Sequence, residues 1–173
     1  MASDDATIRH ATRDDVDTIF SLIHELAAYE KSTSDVAATP EILSRTLAHY
    51  DPTTDSFSQG YARTFLLVAP DSSNTVVGMA LYFYNFSTWT GIPGVYLEDL
   101  FVKPEYRGKG YGKALIKACA KESIRLGGSR MDWTCLAWNE PSLKFYESLG
   151  AKRKDDWVGL RAEGEALKRL AES

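Results

Sequence analysis

The stretch VYLEDLFVKPEYRGKGYGKALIKACAKESIRL, residues 95–126, decides the fold. Tyr96, Leu100, Phe101 and Val102 suit an extended strand, and Pro104 closes it near Lys103 by removing a ladder donor. Farther on, Ala114, Leu115, Ala118, Cys119 and Glu122 recur at helical spacing, with Lys113, Lys117, Lys121 and Arg125 mostly on the other side. A helix is therefore predicted from Tyr111 or Gly112. Between strand and helix, Arg107-Gly108-Lys109-Gly110-Tyr111-Gly112 sets three glycines at every second position. Their amides are bare and lie at a helix N-terminus, an arrangement that binds phosphate groups.

Spacing excludes two familiar phosphate loops. A GxxxxGK[ST] loop fails because Arg107 stands at the first glycine and Ala114 follows Gly112-Lys113. A GxGxxG loop needs glycine at Lys113 or at Leu115. What remains is RxxGxG between a strand and a helix, which resembles the pyrophosphate loop of the GNAT superfamily of acetyl-CoA-dependent N-acetyltransferases. YLEDLFVKPEYRGKGYG and the later LAWNEPSLKFYESLGA, residues 136–151, together resemble its diamine (spermidine/spermine) and thialysine acetyltransferase branch, and the similarity extends loosely from Thr7 to Ala171.

The 173 residues make one domain of ordinary size, 1–173, with 44% hydrophobic and 12% aromatic content as in a globular chain. A net charge of −4 speaks against a nucleic-acid surface and for a cationic ligand. The acidic start MASDDATIRH is no secretory signal, and the longest apolar run, Val76 to Phe86, is too short and interrupted to span a bilayer. A cytoplasmic protein without membrane contact is expected. Cys119 and Cys135 lack metal or redox spacing and read as small buried hydrophobes, while His10, His24 and His49 fit no catalytic or metal pattern and read as surface or helix residues.

In chain order, Thr7 to His10 reads as a strand, and Thr12 with Asp15 opens a helix bearing Val16, Ile19, Ile23 and Leu26 and ending near Glu30. Thr39-Pro40 starts a second helix through Ala48, followed by the polar DPTTDSFSQG, read as a mobile loop. Thr64–Ala69, the turn DSSN and Thr75–Phe86 form a hairpin that the organising strand joins as third member. Arg130 to Leu136 is a strand, Asn139 caps a helix from Glu140 to Ser148, and Trp157 to Leu160 is a last strand before a terminal helix, Glu163 to Ala171. Hairpins and crossovers both occur, so the fold class is α/β with a mixed sheet and helices on both faces. The GNAT resemblance sets that sheet at about six or seven strands.

Acetylating an alkyl amine requires removing a proton, since a lysine-like ammonium has a pKa near about 10.4. Glu98 stands on the strand leading into the glycine loop and is the expected driver; the resemblance gives the first carboxylate of LED that role, usually through water. Alternation puts Glu98 and Asp99 on opposite faces unless the strand bulges, which the resemblance implies. A bulge would also turn backbone N–H groups near Leu100, Phe101 and Val102 toward the pantetheine arm and the acetyl carbonyl. The other reading of the two acids is a charged guard on a sheet edge.

Tyr146 shares a helix face with Asn139 and Leu143 and is the expected acid for the thiolate, or else only a core aromatic. By resemblance, Asn139 and Ser142 hold the pantetheine or pyrophosphate, with Arg107, Gly108, Lys109, Gly110, Tyr111 and Gly112 around the pyrophosphate. The resemblance further assigns the amine to Tyr29, Glu30, Trp89, Asp99, Asp132, Trp133 and Thr134, where carboxylates and aromatic faces make a cation site. Ala137 stands where the family usually has an acid, which bears on polyamine length preference. The expected function is acetyl transfer from acetyl-CoA to a small cationic amine without metal, and the resemblance implies a homodimer. Two rivals are a protein lysine acetyltransferase and a non-catalytic acyl-CoA-binding module.

Overall fold

The computed structural model describes residues 6–70 and 74–172. The chain divides into two compact units, Met1–Thr134 and Cys135–Ser173.

The first unit is a five-stranded sheet in the order β1 (Thr7–His10), β4 (Arg63–Val68), β5 (Val76–Ser87), β6 (Ile92–Val102), β7 (Met131–Trp133). The first four strands are antiparallel neighbours, and β7 joins β6 in parallel after a helical crossover, so the sheet is mixed as expected. The expected meander of β4, β5 and β6 is present; most of the turn at 71–74 lies outside the described residues. Central strands buried on both faces read as long apolar runs, which is why Arg63–Val68 and the first half of Val76–Ser87 carry almost no exposed residue.

One face packs on α1 (Val16–Tyr29) and α2 (Pro40–Thr46): Ile19, Leu22 and Leu43 meet Leu66, Met79, Leu81 and Phe101. On the other face α3 (Tyr111–Arg125) lays Tyr111, Leu115 and Cys119 against Leu67, Val77, Tyr82, Val95 and Leu97. Caps fix the helix starts. The Thr12 amide donates to Asp15, whose carboxylate also takes two 2.7 Å bonds from Arg9, and Thr39 accepts from the Ile42 amide. The capping pair opens a short 3-10 turn, Arg13–Asp15, and α1 proper begins one residue later. Beneath the C-terminal end of α3, Glu122 accepts from Arg125 at 2.7 and 2.8 Å and from the Tyr84 hydroxyl, with Arg63 beside it. Those donors, the Arg125 bonds foremost, hold its carboxyl down at about 2.

Three expectations are corrected. The polar stretch 51–60 is not a free loop: β2 (Tyr50–Asp51) and β3 (Ser56–Phe57) pair as a ribbon whose turn Asp51 closes by accepting from the amide and hydroxyl of Thr53. His49 is buried, and His10 stacks at 4.4 Å on Phe65, because the ribbon covers both. The main sheet has five strands, because Trp157 to Leu160 finds no ladder partner among the described residues and an extended segment alone is not a strand.

The second unit carries α4 (Glu140–Ser148) and α5 (Gly164–Glu172). Asn139 caps α4 as expected, its side-chain oxygen accepting from the Ser142 amide, and a proline stands in the first turn. Trp157, Val158 and Leu160 are exposed, as are Leu167 and Leu170 of α5.

Candidate active site

The site begins where the pairing of β5 with β6 slips. Leu81 faces Asp99 and Tyr82 faces Leu97, so Glu98 is an extra residue and the strand bulges there. The bulge undoes the alternation that would separate the two acids. Asp99 pairs with Leu81, whose side chain belongs to the α1-side core, whereas Leu97 on the near side of the bulge lies under α3. Burial pushes the Asp99 carboxyl up to about 6, and the nearby charges of Glu98 and then Glu30 add to that. Glu30 itself is raised by burial at the end of α1. Three carboxylates thus gather on one face, with Glu98 the most exposed of them.

The same strand carries a free edge. β7 pairs only with Val95, Tyr96 and Leu97, and β6 then runs on to Val102 with no partner on that side among the described residues. Lys103 donates to Val77 on the β5 side, so alternation turns the N–H groups of Leu100 and Val102 into the gap. Phe101 is corrected on this point: its amide faces β5 and its ring is buried in the α1-side core. It shapes the gap and donates nothing into it.

Beyond the gap, Pro104–Tyr106 make a 3-10 turn and the glycine loop follows. Gly108 and Gly110 hold left-handed φ values of 77° and 81°; a Cβ on Gly108 would meet nothing within 4 Å, so the glycine there is required by conformation and not by crowding. Gly110 is the N-cap of α3, which has no side-chain cap and no acid in its first turn. Its first amides therefore keep their demand for an acceptor and their positive dipole end. Arg107 donates from Nε to the Val102 carbonyl at 2.9 Å, and its guanidinium lies 4.8 Å from the Tyr29 ring, tying the end of α1 to the loop. Lys109 lies over Tyr106 at 5.1 Å. Tyr111 is buried in the α3-side core, so only its backbone faces the loop. An uncapped, acid-free helix start beside Arg107 and Lys109 fits a pyrophosphate.

The other expected residues divide. Asp132 shares the face of Tyr96, but it already accepts from Asn85 at 2.8 Å and is ion-paired with Arg130 at 3.0 Å, so its charge is partly answered. Trp133 pairs with Leu97 and packs against the α3-side core, on the face opposite Asp99; it is corrected from the acceptor site to packing. Thr134 is exposed just past the end of β7. Trp89, 89% exposed, sits in the turn closed by the Ser87–Ile92 pair, and Ile92 itself lies six residues along β6 from Glu98, or about 20 Å. Trp89 does not join the carboxylates. In the second unit, Asn139, Leu143 and Tyr146 lie on the less exposed face of α4, with Ser142 in its first turn and the Tyr146 ring 5.4 Å from Phe145.

A strand edge opened beside a bulge leads into an uncapped glycine loop, a cleft suited to an extended ligand that carries a pyrophosphate. Residues 29–151 match the acetyltransferase (GNAT) family, and the chain belongs to it. It is 36% identical over 167 residues to a thialysine N-epsilon-acetyltransferase of Sus scrofa, covering 95% of this chain and 96% of that one. An L-ornithine N5-acetyltransferase of Arabidopsis thaliana is 32% identical, covering 94% and 86%. Among solved structures, an integron cassette protein from V. cholerae superposes with a TM-score of 0.75 at 29% identity, covering 98% and 99%. The protein is an N-acetyltransferase with acetyl-CoA as co-substrate.

Proposed function

We propose that the enzyme acetylates the primary amine of a small cationic acceptor, a polyamine, a diamine or a lysine-like amino acid such as thialysine. The observation that carries this reading is the gathering of Glu30, Glu98 and Asp99 on one face next to the free edge of β6. Three carboxylates in a partly buried place attract a cation and have no use for a neutral acceptor. The named relatives that act on thialysine and ornithine, both amino acids ending in a primary amine, support the same class.

Asp99 and Glu30 orient the ammonium. Glu98, the bulged and exposed member, takes the proton from it directly or through a water. The N–H groups of Leu100 and Val102 donate along the gap, toward the carrier's pantetheine arm and the acetyl oxygen. Arg107, Lys109 and the amides from Gly108 to Gly112 hold the pyrophosphate, and Asn139 and Ser142 contribute polar contacts to the carrier. As the N–C bond forms and the thioester C–S bond breaks, Tyr146 gives its proton to the departing thiolate, and the second proton lost by the acylated nitrogen passes through water to restore the phenol. The last three assignments rest on the WNEPSLKFY pattern. The enzyme works in the cytoplasm as a homodimer, a state that the exposed Trp157, Val158, Leu160, Leu167 and Leu170 favour.

The test is an acetyl-CoA consumption assay over thialysine, ornithine, spermidine, spermine and short diamines, repeated with two variants. Glu98→Gln is expected to lower kcat/KM by about 10²-fold at neutral pH and to recover part of that toward pH 10, where solution supplies neutral amine. Tyr146→Phe has a deficit that alkali does not repair. A loss by the same factor at every pH for Glu98→Gln would make Glu98 a binding carboxylate only, and turnover of none of these amines would remove the small-acceptor reading.

A further inference from the structure

On the face of the sheet away from the carboxylates, a groove of about 910 Å³ runs between α3 and the β1 edge. Its floor is apolar, formed by Ile8 of β1, Phe65 of β4 and Ala114 and Ala118 of α3, and its lining also takes in Gly108, Lys109 and Gly110 of the glycine loop and the paired Glu122 and Arg125. Lys113, Lys117 and Lys121 line its wall. All three are exposed, and among the described residues none of them meets a carboxylate. Arg9, Arg63, Lys103, Arg125 and Arg130, by contrast, each meet a carboxylate.

Among the described residues β1 is the outermost strand of the sheet. Ala11 donates to Thr64, so alternation directs Arg9 toward β4 and leaves the backbone N–H and C=O of Ile8 pointing outward at the groove's rim. An unpaired strand edge is a template for another strand. The spacings agree as well. Lysines four residues apart on a helix stand about 6 Å apart along its axis, and alternate side chains of an extended chain stand about 6.7 Å apart. Three lysines thus span about 12 Å, close to the length of the four-residue β1.

We propose that this face docks an extended acidic segment of another protein, added as a sixth strand on β1, with acidic side chains alternating toward Lys113, Lys117 and Lys121. Backbone pairing to β1 supplies affinity and the lysine row supplies the preference for acids. A single-stranded nucleic acid would want open aromatic platforms, and here Phe65 is 8% exposed at the bottom of the groove. A membrane would meet a protruding basic face, not lysines on the wall of a concave groove.

The probe is a fluorescein-labelled, end-blocked peptide of alternating Glu and Val, measured by anisotropy against the full chain in 50 mM salt. Binding is expected in the micromolar range, weakening several-fold in 300 mM salt. The combined charge reversal Lys113→Glu, Lys117→Glu, Lys121→Glu is expected to weaken it at least tenfold with circular dichroism and Tm unchanged. The single change Lys117→Glu serves if the triple variant does not fold. A peptide of the same sequence N-methylated at every second residue keeps its charge and loses the ladder, so it too should bind at least tenfold more weakly. Equal binding of the methylated peptide, indifference to charge reversal, or binding of oligo(dT) or phosphatidylserine vesicles in place of the peptide would each overturn the proposal.

Discussion

Replacing Asp99 by Asn removes a charge that the fold holds at a cost. Its carboxyl is pushed from an ordinary 3.8 to about 6 by burial, with Glu98 and Glu30 adding repulsion. A group with a raised folded pKa favours the folded state fully below its unfolded value, and that benefit is lost as the pH rises through the folded value. The penalty on ionised Asp99 is therefore absent below about pH 4, grows between 4 and 6, and is complete above about 7. Two pH units correspond to about 3 kcal/mol, and partial contact with solvent brings this to about 1.5–3 kcal/mol. For a chain of this length each kcal/mol moves Tm by about 2–4 °C. Asp99→Asn should thus melt about 3–12 °C above the parent at pH 8, with the two curves converging by pH 4. Scanning calorimetry from pH 4 to 8 reads the difference directly. A gap independent of pH, or a less stable variant at pH 8, would refute the carboxylate cluster. Spermidine or thialysine, added at pH 8, should narrow the gap by stabilising only the parent's full set of charges.

Two other outcomes follow from the loop and the second unit. Gly110→Val places a branched side chain at φ 81° on the N-cap of α3, and KM for acetyl-CoA should rise far more than that for the amine; an unchanged cofactor affinity in a folded variant would count against the pyrophosphate assignment. Light scattering at micromolar concentration should give twice the chain mass of 19.3 kDa, and a monomer would remove the homodimer.

The local elements were legible where one residue type dictates one conformation. Pro104, the glycines at 108 and 110, the Thr12–Asp15 pair and the Asn139 cap each stand where the chain reads that they should. Other features have no local signal. Thr134, Cys135 and Leu136 read as a continuation of a strand, yet β7 stops at Trp133, and the length of that strand decides how much of β6 stays open. The tryptophans illustrate the same limit. A large aromatic at a strand or turn position says nothing about which face it takes, and Trp89, Trp133 and Trp157 go to a hairpin tip, a core and an exposed segment. The gathering of Glu30 with Glu98 and Asp99 joins positions nearly seventy residues apart in the chain, so only the family pattern pointed to it.

The bulge at Glu98 also separates the roles of the two neighbouring acids, and kinetics can read that separation. With its carboxyl near 6 in the free enzyme, Asp99 takes up its proton as the pH falls through that value, while Glu98 lies more open to solvent. A bound ammonium favours the ionised form of Asp99 and so pulls its pKa down. Profiles of kcat/KM report groups of the free enzyme, and profiles of kcat report groups of the complex. The parent's log kcat/KM should therefore steepen by one unit of slope below about pH 6, and the matching break in kcat should lie at lower pH. In Asp99→Asn the extra steepening should vanish, leaving a lower but simpler profile. If it persists in that variant, Asp99 is not the carboxyl that titrates. The half-buried member of the trio would then hold the cation without controlling when it binds.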